Sequence, residues 1–456
     1  MQIGAFLERS IPWRWALYWL VIPNLIIILT WPLGGPSMTN VLKLFGFSGL
    51  LVSQLPWKRV KQTLLLGMMG TMMSYYICLT FNLPIWAIQY LPEFAVEVRP
   101  WLVSIYLLGG LLFLGVVLIT LRHAPRVQRF PSLLSMLVAI SSIYAMSMID
   151  DVAARSTKDS YHAVPAAGEP FHAATTMAGL EEPAAGKRNV VIIVVEALGR
   201  PTSRVEKALF DADWNRPGWR TRYDVSQGSV PYYGSTTNAE IRELCGVWGL
   251  YMNFDFAKSD CLPGRYRKAG YKTTAMHSFT GEFFDRTHWY PKLHFDRIEF
   301  ASDLIKDGAR PCGGMFPGAC DKDVPALIAR RLANATEPQM IYWLTLNSHV
   351  PVVEDQTLGT IGCRLGPAEW SAENQQLCRL FSVHHQLAAA LDAMAMDPAL
   401  PPTDILIVGD HMPPLFDRDS RVRFDESHVP WILLRSKAGH ATGAAPAGRT
   451  RAPSHT

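Results

Sequence analysis

Four side chains of this sequence have the types and the setting to bind a divalent cation and activate an alcohol. Glu196 ends the apolar run NVVIIVVEA, and Asp410 and His411 end the run DILIVGDH. Together they make a mixed oxygen and nitrogen donor set, which suits Zn²⁺ or Mn²⁺ better than a soft metal. The segment YYGSTTNAEIRELCG (232–246) adds a turn of hydroxyl residues leading into a helix. Hydroxyls at a helix N-terminus lie where free N–H groups and the dipole favour anions. A threonine alcohol there becomes a useful nucleophile once a metal or base lowers its pKa. Each signal has a plain structural reading as well. An Asp-His pair can satisfy loop amides, and Ser-Thr-Thr can simply cap a helix.

The elements that must position these residues read as short buried strands alternating with helices. NVVIIVVEA (189–197), YKTTAM (271–276), MIYWLTL (340–346), DILIVGD (404–410) and VPWILL (429–434) are rich in β-branched residues, as in a sheet covered on both faces. Helices are expected at 237–247, 321–334 and 377–395. The pattern predicts an α/β sandwich with a mostly parallel sheet. In such folds chemistry gathers beyond the carboxyl ends of the strands. Glu196, His277, the Asn347-Ser348-His349 run, and Asp410 with His411 all follow strands, whereas His428 precedes one.

Composition divides the 456 residues in two. Residues 1–149 carry long apolar runs with few charges, and five candidate spans lie at 12–32, 39–56, 63–88, 100–121 and 131–149. The second is the shortest and contains Lys43. Lys58, Arg59 and Lys61 follow the second span and Arg122, Arg126 and Arg129 the fourth. The loop after the third carries Glu93, Glu97 and one basic residue, Arg99. The positive-inside rule puts the N-terminus and both basic loops in the cytoplasm, so an odd number of spans exports the C-terminal part. The first run is too long, and followed by too many others, for a cleaved signal peptide. Trp13, Trp15, Trp31, Trp57, Trp86 and Trp101, near span ends, read as interfacial anchors.

Residues 150–187, rich in Ala, Gly and Pro, read as a loosely packed connector, 188–436 as the extracytoplasmic catalytic domain, and 437–456 as a disordered tail. Six of the seven cysteines fall in the exported part. No C-x₂-C spacing of a zinc site occurs, so disulfides in an oxidising compartment are expected. Pairing sequence neighbours gives 245–261, 312–320 and 363–378. A formal net charge of +4, with Lys and Arg scattered rather than striped, gives no nucleic-acid footprint.

NVVIIVVEALGRP, GSTTNAEIRELCG, AGYKTTAMHSFTGEFFDRTHWYPKLHFDRIEF, LTLNSHVPV and VGDHMPPLF, in this order, resemble the membrane-anchored sulfatase-fold transferases of the alkaline-phosphatase superfamily. These include lipoteichoic acid synthase and the phosphoethanolamine transferases. The resemblance covers about 188–435 and extends to the membrane anchor. It implies that Glu196, Thr236, Asp410 and His411 bind the catalytic metal and that Thr236 is the nucleophile, with Thr237 the alternative in the phosphoethanolamine transferase alignment. It implies that Arg286 and His349 hold the substrate phosphate, with His277 and His428 as further candidates. CGGMFPGACDKD and the 363–378 pair resemble cysteine-paired segments of phosphoethanolamine transferases.

The implied reaction moves a phosphoethanolamine or phosphoglycerol group from a membrane phospholipid to a cell-envelope glycan or lipid, through phospho-threonine, on the outer side of a bacterial inner membrane. Two other readings remain at this stage. Cys261-Leu-Pro-Gly-Arg265 fits the Cys-x-Pro-x-Arg signature for formylglycine, which would make the chain a sulfatase or phosphatase-type hydrolase. An inactive envelope scaffold is the third.

Overall fold

The computed structural model describes residues 11–32, 35–80, 104–126, 130, 132–154, 161, 163–168, 171–183, 188–415 and 417–438. Trp86, Trp101, Arg129, the charges of the 89–99 loop, the end of the third expected span and nearly all of the tail lie outside these residues.

Four helices are long and apolar enough to cross a membrane: Trp13–Thr30, Lys58–Thr80, Leu107–Arg126 and Leu133–Ala153. The second expected span is a 15-residue apolar helix, Thr39–Ser53. The first span changes winding, from α to π over Ala16–Val21 and to 3₁₀ over Ile22–Asn24. Pro23 accounts for the break, since it has no N–H to give to the turn before it. Leu107, Leu108, Leu111, Leu114 and Leu118 point outward, as a lipid-facing surface requires. Trp13 and Trp57 are exposed, in keeping with interfacial positions. Trp15 is not an anchor: it is buried in the bundle and donates Nε1–H to Ser53 Oγ at 3.0 Å.

Asp150 closes one end of the bundle. Its buried carboxylate accepts from Trp31 Nε1 at 2.8 Å, Met38 N at 2.9 Å and the hydroxyls of Thr39 at 2.8 Å and Ser37 at 3.2 Å. These donors, together with the N-terminus of Thr39–Ser53, satisfy a carboxylate that has no salt-bridge partner among the described residues.

The α/β part is built on a seven-stranded sheet. Its strands are β1 (Asn189–Val195), β2 (Tyr223–Pro231), β3 (Lys272–His277), β4 (Arg297–Glu299), β7 (Gln339–Leu344), β8 (Thr403–Gly409) and β9 (His428–Ser436), in the order β2-β9-β8-β1-β7-β3-β4. β5 (Pro311–Cys312) and β6 (Gly318–Ala319) form a separate small ribbon. β1, β3, β4, β7 and β8 run parallel to one another, and β9 runs antiparallel to β8 and β2.

Every residue of β1 is buried, because alternate side chains enter two cores. Val190, Ile192 and Val194 pack with Ile241, Leu262 and Tyr266 on one face. Val191, Ile193 and Val195 pack with Leu327, Ile328 and Leu391 on the other. The helices responsible are Thr236–Cys245 and Leu262–Lys268 on the first face and Val324–Ala333 on the second. Gln375–Met396 contributes to both. All three disulfides pair sequence neighbours: Cys245–Cys261, Cys312–Cys320 and Cys363–Cys378.

The connector is packed down rather than loose over residues 173–180, while Val164 and residues 166–168 are exposed. Ala173, Ala174, Ala178 and Leu180 are buried, and Ala174–Met177 is a helical turn seated on the first core. The bundle and the sheet domain meet at Cys78, near the end of Lys58–Thr80, which shares one apolar cluster with Phe279, Phe283, Phe316 and Leu346. Cys78 is twenty residues, about 30 Å of helix, from the basic start of that span. The α/β domain therefore sits at the end of the bundle away from Lys58 and Arg59.

Candidate active site

The site forms where β1 and β8 lie side by side. Val195 pairs with Gly409, so the next residues along the two strands, Glu196 and Asp410, leave the sheet together. The turn after Glu196 is tight: Ala197 takes φ 54°, and a Cβ on Gly409 would overlap the Leu198 carbonyl oxygen. Only glycine allows that approach.

Backbone groups fix the two carboxylates. Asp410 Oδ1 accepts from Ala197 N at 2.8 Å and His411 N at 2.6 Å. Glu196 N donates to Thr345 Oγ1 at 2.9 Å, while the Glu196 carbonyl accepts from Ser348 Oγ at 2.6 Å and His384 Nε2 at 3.2 Å. The Thr236–Cys245 helix brings the hydroxyl. Its entry is set by Gly234 at φ 90° and by Asn238 Oδ1, which accepts from Ser235 N at 3.0 Å. Its exit is Gly246 in the left-handed region, beside the Cys245–Cys261 bridge. Thr236, the first residue of that helix, donates to Glu196 Oε2 at 3.2 Å and lies 3.3 Å from His411 Nε2. The Thr237 hydroxyl instead lies 3.5 Å from Ser235 Oγ.

What remains in the centre is a surplus of acceptors. His411 Nδ1 lies 2.9 Å from the Met412 carbonyl, which can only accept, so Nδ1 carries a proton and the lone pair of the neutral imidazole is the one on Nε2. That lone pair is 3.1 Å from Asp410 Oδ2 and 3.6 Å from Glu196 Oε1. Both oxygens are buried without a hydrogen-bond donor. Burial, and then the Asp410 charge, push the Glu196 carboxyl well above the ordinary carboxylate range. Glu196, Asp410 and His411 offer ligand atoms within 4.8 Å of one another, the single such group among the described residues. Orphaned acceptors converging on one point fit a divalent cation, and the N–H of His411 bound to a carbonyl is the outer support such a ligand needs.

The other candidates lie around this centre. Arg286 is buried and bound to Glu240, yet its charge is near enough to favour ionised Glu196 and, after burial itself, to disfavour protonated His277. His277, the last residue of β3, has Nδ1 3.2 Å from the Leu344 carbonyl. The His349 ring packs on Phe316 at 4.2 Å, and burial and then His411 hold its pKa down to about 4. His428 is half-exposed at the start of β9, with Nδ1 2.8 Å from Ser427 Oγ, outside the cluster. Because β9 is antiparallel, its first residue still lies along the same sheet edge as the ends of β1 and β8.

Three contributors escaped the sequence reading. His384 supports the Glu196 carbonyl, and its only signal is a histidine among leucines on the inner face of Gln375–Met396. Arg242 donates to the carbonyls of Gly409 at 2.7 Å and Asp410 at 3.3 Å. Tyr161 of the connector stands edge-on to the His411 ring, with centroids 4.8 Å apart.

A sulfatase family model matches residues 188–453, more than half of the chain. The chain belongs to the sulfatase family. Its α/β part is an enzyme domain of that superfamily, which generally uses a divalent metal, and Glu196, Asp410 and His411 could hold one.

A Rhizobium meliloti (strain 1021) protein named "Putative cyclic beta-1,2-glucan modification protein" is 25% identical over 242 residues, 50% of this chain. The chain spans 36% of that protein's length. Among solved structures, the chain is similar to the lipooligosaccharide phosphoethanolamine transferase EptA of Neisseria meningitidis. The match is 15% identical, covers 87% of this chain and 81% of that one, and has a TM-score of 0.47. The lipoteichoic acid synthase LtaP of Listeria monocytogenes matches at 16% identity over 56% and 67% of the chains, with a TM-score of 0.43. The phosphoglycerol transferase GacH of Streptococcus pyogenes matches at 18% identity over 57% and 72%, with a TM-score of 0.40.

Proposed function

We propose that this chain is a membrane-anchored, metal-dependent transferase. It moves a phosphoethanolamine or phosphoglycerol group from a membrane phospholipid to a cell-envelope glycan or lipid, by way of phospho-threonine on Thr236. The observation that carries this reading is the Thr236 hydroxyl at a helix N-terminus, 3.2 Å from Glu196 Oε2 and 3.3 Å from His411 Nε2. The four apolar helices and the placement of basic residues favour a multi-pass protein of the bacterial inner membrane with the α/β domain outside.

Glu196, Asp410 and His411 would hold Zn²⁺ or Mn²⁺, which when bound supplies Lewis-acid activation of the alcohol and of the phosphoryl oxygens. Glu196 and His411 orient the Thr236 hydroxyl and offer acceptors for its proton. Thr236 Oγ1 bonds to the donor phosphorus while the bond from phosphorus to the diacylglycerol oxygen breaks, and diacylglycerol departs as the alcohol with one proton. An acceptor hydroxyl then attacks the phospho-threonine and its proton returns to Thr236. Helix N–H groups, Arg286 and His349 surround the charge that develops on phosphorus.

The formylglycine reading requires a free Cys261 thiol, and Cys261 is bridged to Cys245. That bridge supports a transferase over a sulfatase.

The test is to incubate the full chain in vesicles of phosphatidylethanolamine or of phosphatidylglycerol, without acceptor, and weigh the peptide that contains 232–246. A phosphoethanolamine or phosphoglycerol adduct on Thr236 is expected. No adduct on Thr236 or Thr237 with either donor overturns the mechanism.

A further inference from the structure

Asp410 and His411 are held on the sheet side by backbone hydrogen bonds, but a second grip comes from the helix that carries Thr236. Arg242, six residues beyond Thr236, is 1% exposed. Its guanidinium spans the carbonyls of Gly409 and Asp410, at 2.7 and 3.3 Å. Two N–H groups in a rigid fork thus tie the nucleophile helix to the end of β8. The third face of the fork, Nε, meets Glu243 Oε1 at 2.6 Å.

Glu243 is itself fully buried and turned toward the connector. Its oxygens accept from Ala174 N at 3.2 Å and Thr175 N at 2.9 Å, while the Glu243 carbonyl accepts from Thr175 Oγ1 at 2.9 Å. The same connector segment is pinned further along. Arg435 donates to the Ala178 carbonyl at 2.6 Å and Tyr266 to the Leu180 carbonyl at 2.9 Å. Its earlier part reaches the site directly, with Tyr161 edge-on to His411 and Phe171 6.1 Å from Tyr233, next to the turn that opens the helix. The chain that joins membrane bundle to catalytic domain therefore touches the site on one side and holds it through a buried ion pair on the other.

We propose that Arg242 and Glu243 are a positioning couple through which the docked connector, residues 173–180, sets Asp410 and His411 against Thr236. The proposal rests on reading Glu196, Asp410 and His411 as a cation site. Neither residue of the couple touches substrate. They act by fixing the backbone from which the ligands project, in the manner of the outer partners that tune metal sites. A buried Arg–Glu pair is weak evidence for stability in itself and better evidence for a specified geometry.

The test uses the full chain in lipid vesicles and measures Zn²⁺ and Mn²⁺ affinity by titration, amide exchange at 410–412 in the metal-free protein, and kcat separately from KM. Arg242→Lys keeps a charge for Glu243 but cannot span both carbonyls. It is expected to stay folded, to lose roughly 10- to 100-fold in metal affinity, to exchange faster at 410–412, and to lower kcat with little change in KM. Tyr266→Phe with Arg435→Gln loosens the connector without touching the couple or the site, and is expected to shift affinity and exchange in the same direction by a smaller factor. A folded Arg242→Lys protein with metal affinity and exchange within twofold of the parent overturns the positioning role. Unchanged affinity and exchange in the Tyr266→Phe, Arg435→Gln protein overturns the connector's part. A parent chain that binds neither metal removes the cation reading itself, an outcome distinct from both.

Discussion

Arg286 places two N–H groups, Nε at 3.0 Å and Nη2 at 2.7 Å, on a single oxygen of Glu240. Glu240 lies one helical turn beyond Thr236, so the same helix positions the hydroxyl and the buried cation. The other Glu240 oxygen accepts from the hydroxyls of Tyr290 and Tyr342. Burial works against the Arg286 charge, but Glu240 outweighs it and holds the guanidinium fully protonated.

Glu240→Gln should leave Arg286 buried without a counter-charge and cost about 3–5 kcal/mol of stability. Replacing both, Glu240→Leu with Arg286→Met, should restore much of that stability while transfer stays lost. Thermal unfolding beside turnover separates the two effects. Recovery of turnover in the double variant would dismiss Arg286 from the phosphate site.

Thr236→Ala should lower transfer by at least roughly 10³-fold and abolish the adduct, with Thr236→Ser retaining part of both. Thr237→Ala should keep turnover within about tenfold, since that hydroxyl faces Ser235 rather than the carboxylates. The reverse ranking, read from initial rates and peptide mass, would make Thr237 the nucleophile.

Metal removal should act on folding as well as on turnover. Free Zn²⁺ or Mn²⁺ at a hundred times its Kd should stabilise the domain by about 2.7 kcal/mol, and a chelator should reverse this. Asp410→Asn should lose most of the shift in Tm. An equal shift in that variant would place the cation elsewhere.

Asp321 gives a pH signature away from the cation site. Its buried carboxylate takes the amides of Leu346 and Asn347 at 2.9 and 2.6 Å. Burial dominates and lifts its pKa to about 6, with Ser278 and then those amides opposing. The folded state therefore binds the proton more tightly than the unfolded chain, so stability falls as pH rises through the window from about 4 to 6. The span is on the order of 3 kcal/mol. Asp321→Asn should flatten denaturant-derived stability across this window. An unchanged slope would show that Asp321 ionises normally.

Replacing Cys245 and Cys261 together by serine should cost about 3 kcal/mol through the 16-residue loop they close. Folded protein at low temperature should still transfer. A formylglycine enzyme would lose all activity, so assay of the folded fraction decides between the two.

The parts of this molecule that are uniform along the chain were legible in its residues. β1 and β8 are continuous β-branched runs because both their faces are covered, and Glu196, Asp410 and His411 stand where such strands end. β2 was not legible. It is an edge strand paired only with β9, and its YDVSQGSVP is largely exposed, without an apolar run to announce it. The direction of β9 was hidden as well, and with it the reason why His428 precedes its strand yet lies on the same edge as the others. Arg242 and Glu243 carry no signal of their role, because nothing local says that this short helix is buried on nearly all sides. Their burial is a tertiary fact, created when the connector lies over them.

Cys78, on a membrane helix, shares its cluster with Phe316, and Phe316 packs on His349. The site is thus tied by side-chain packing to a helix apolar enough to cross a membrane. For a lipid donor, encounter becomes a lateral search within one leaflet, and the concentration that matters is mole fraction rather than molarity. Diluting the donor with inert lipid, at constant bulk amount, slows such an enzyme. On the proposed reading, an α/β domain detached together with its connector would keep the chemistry but lose the reduced dimension in which it meets a lipid donor.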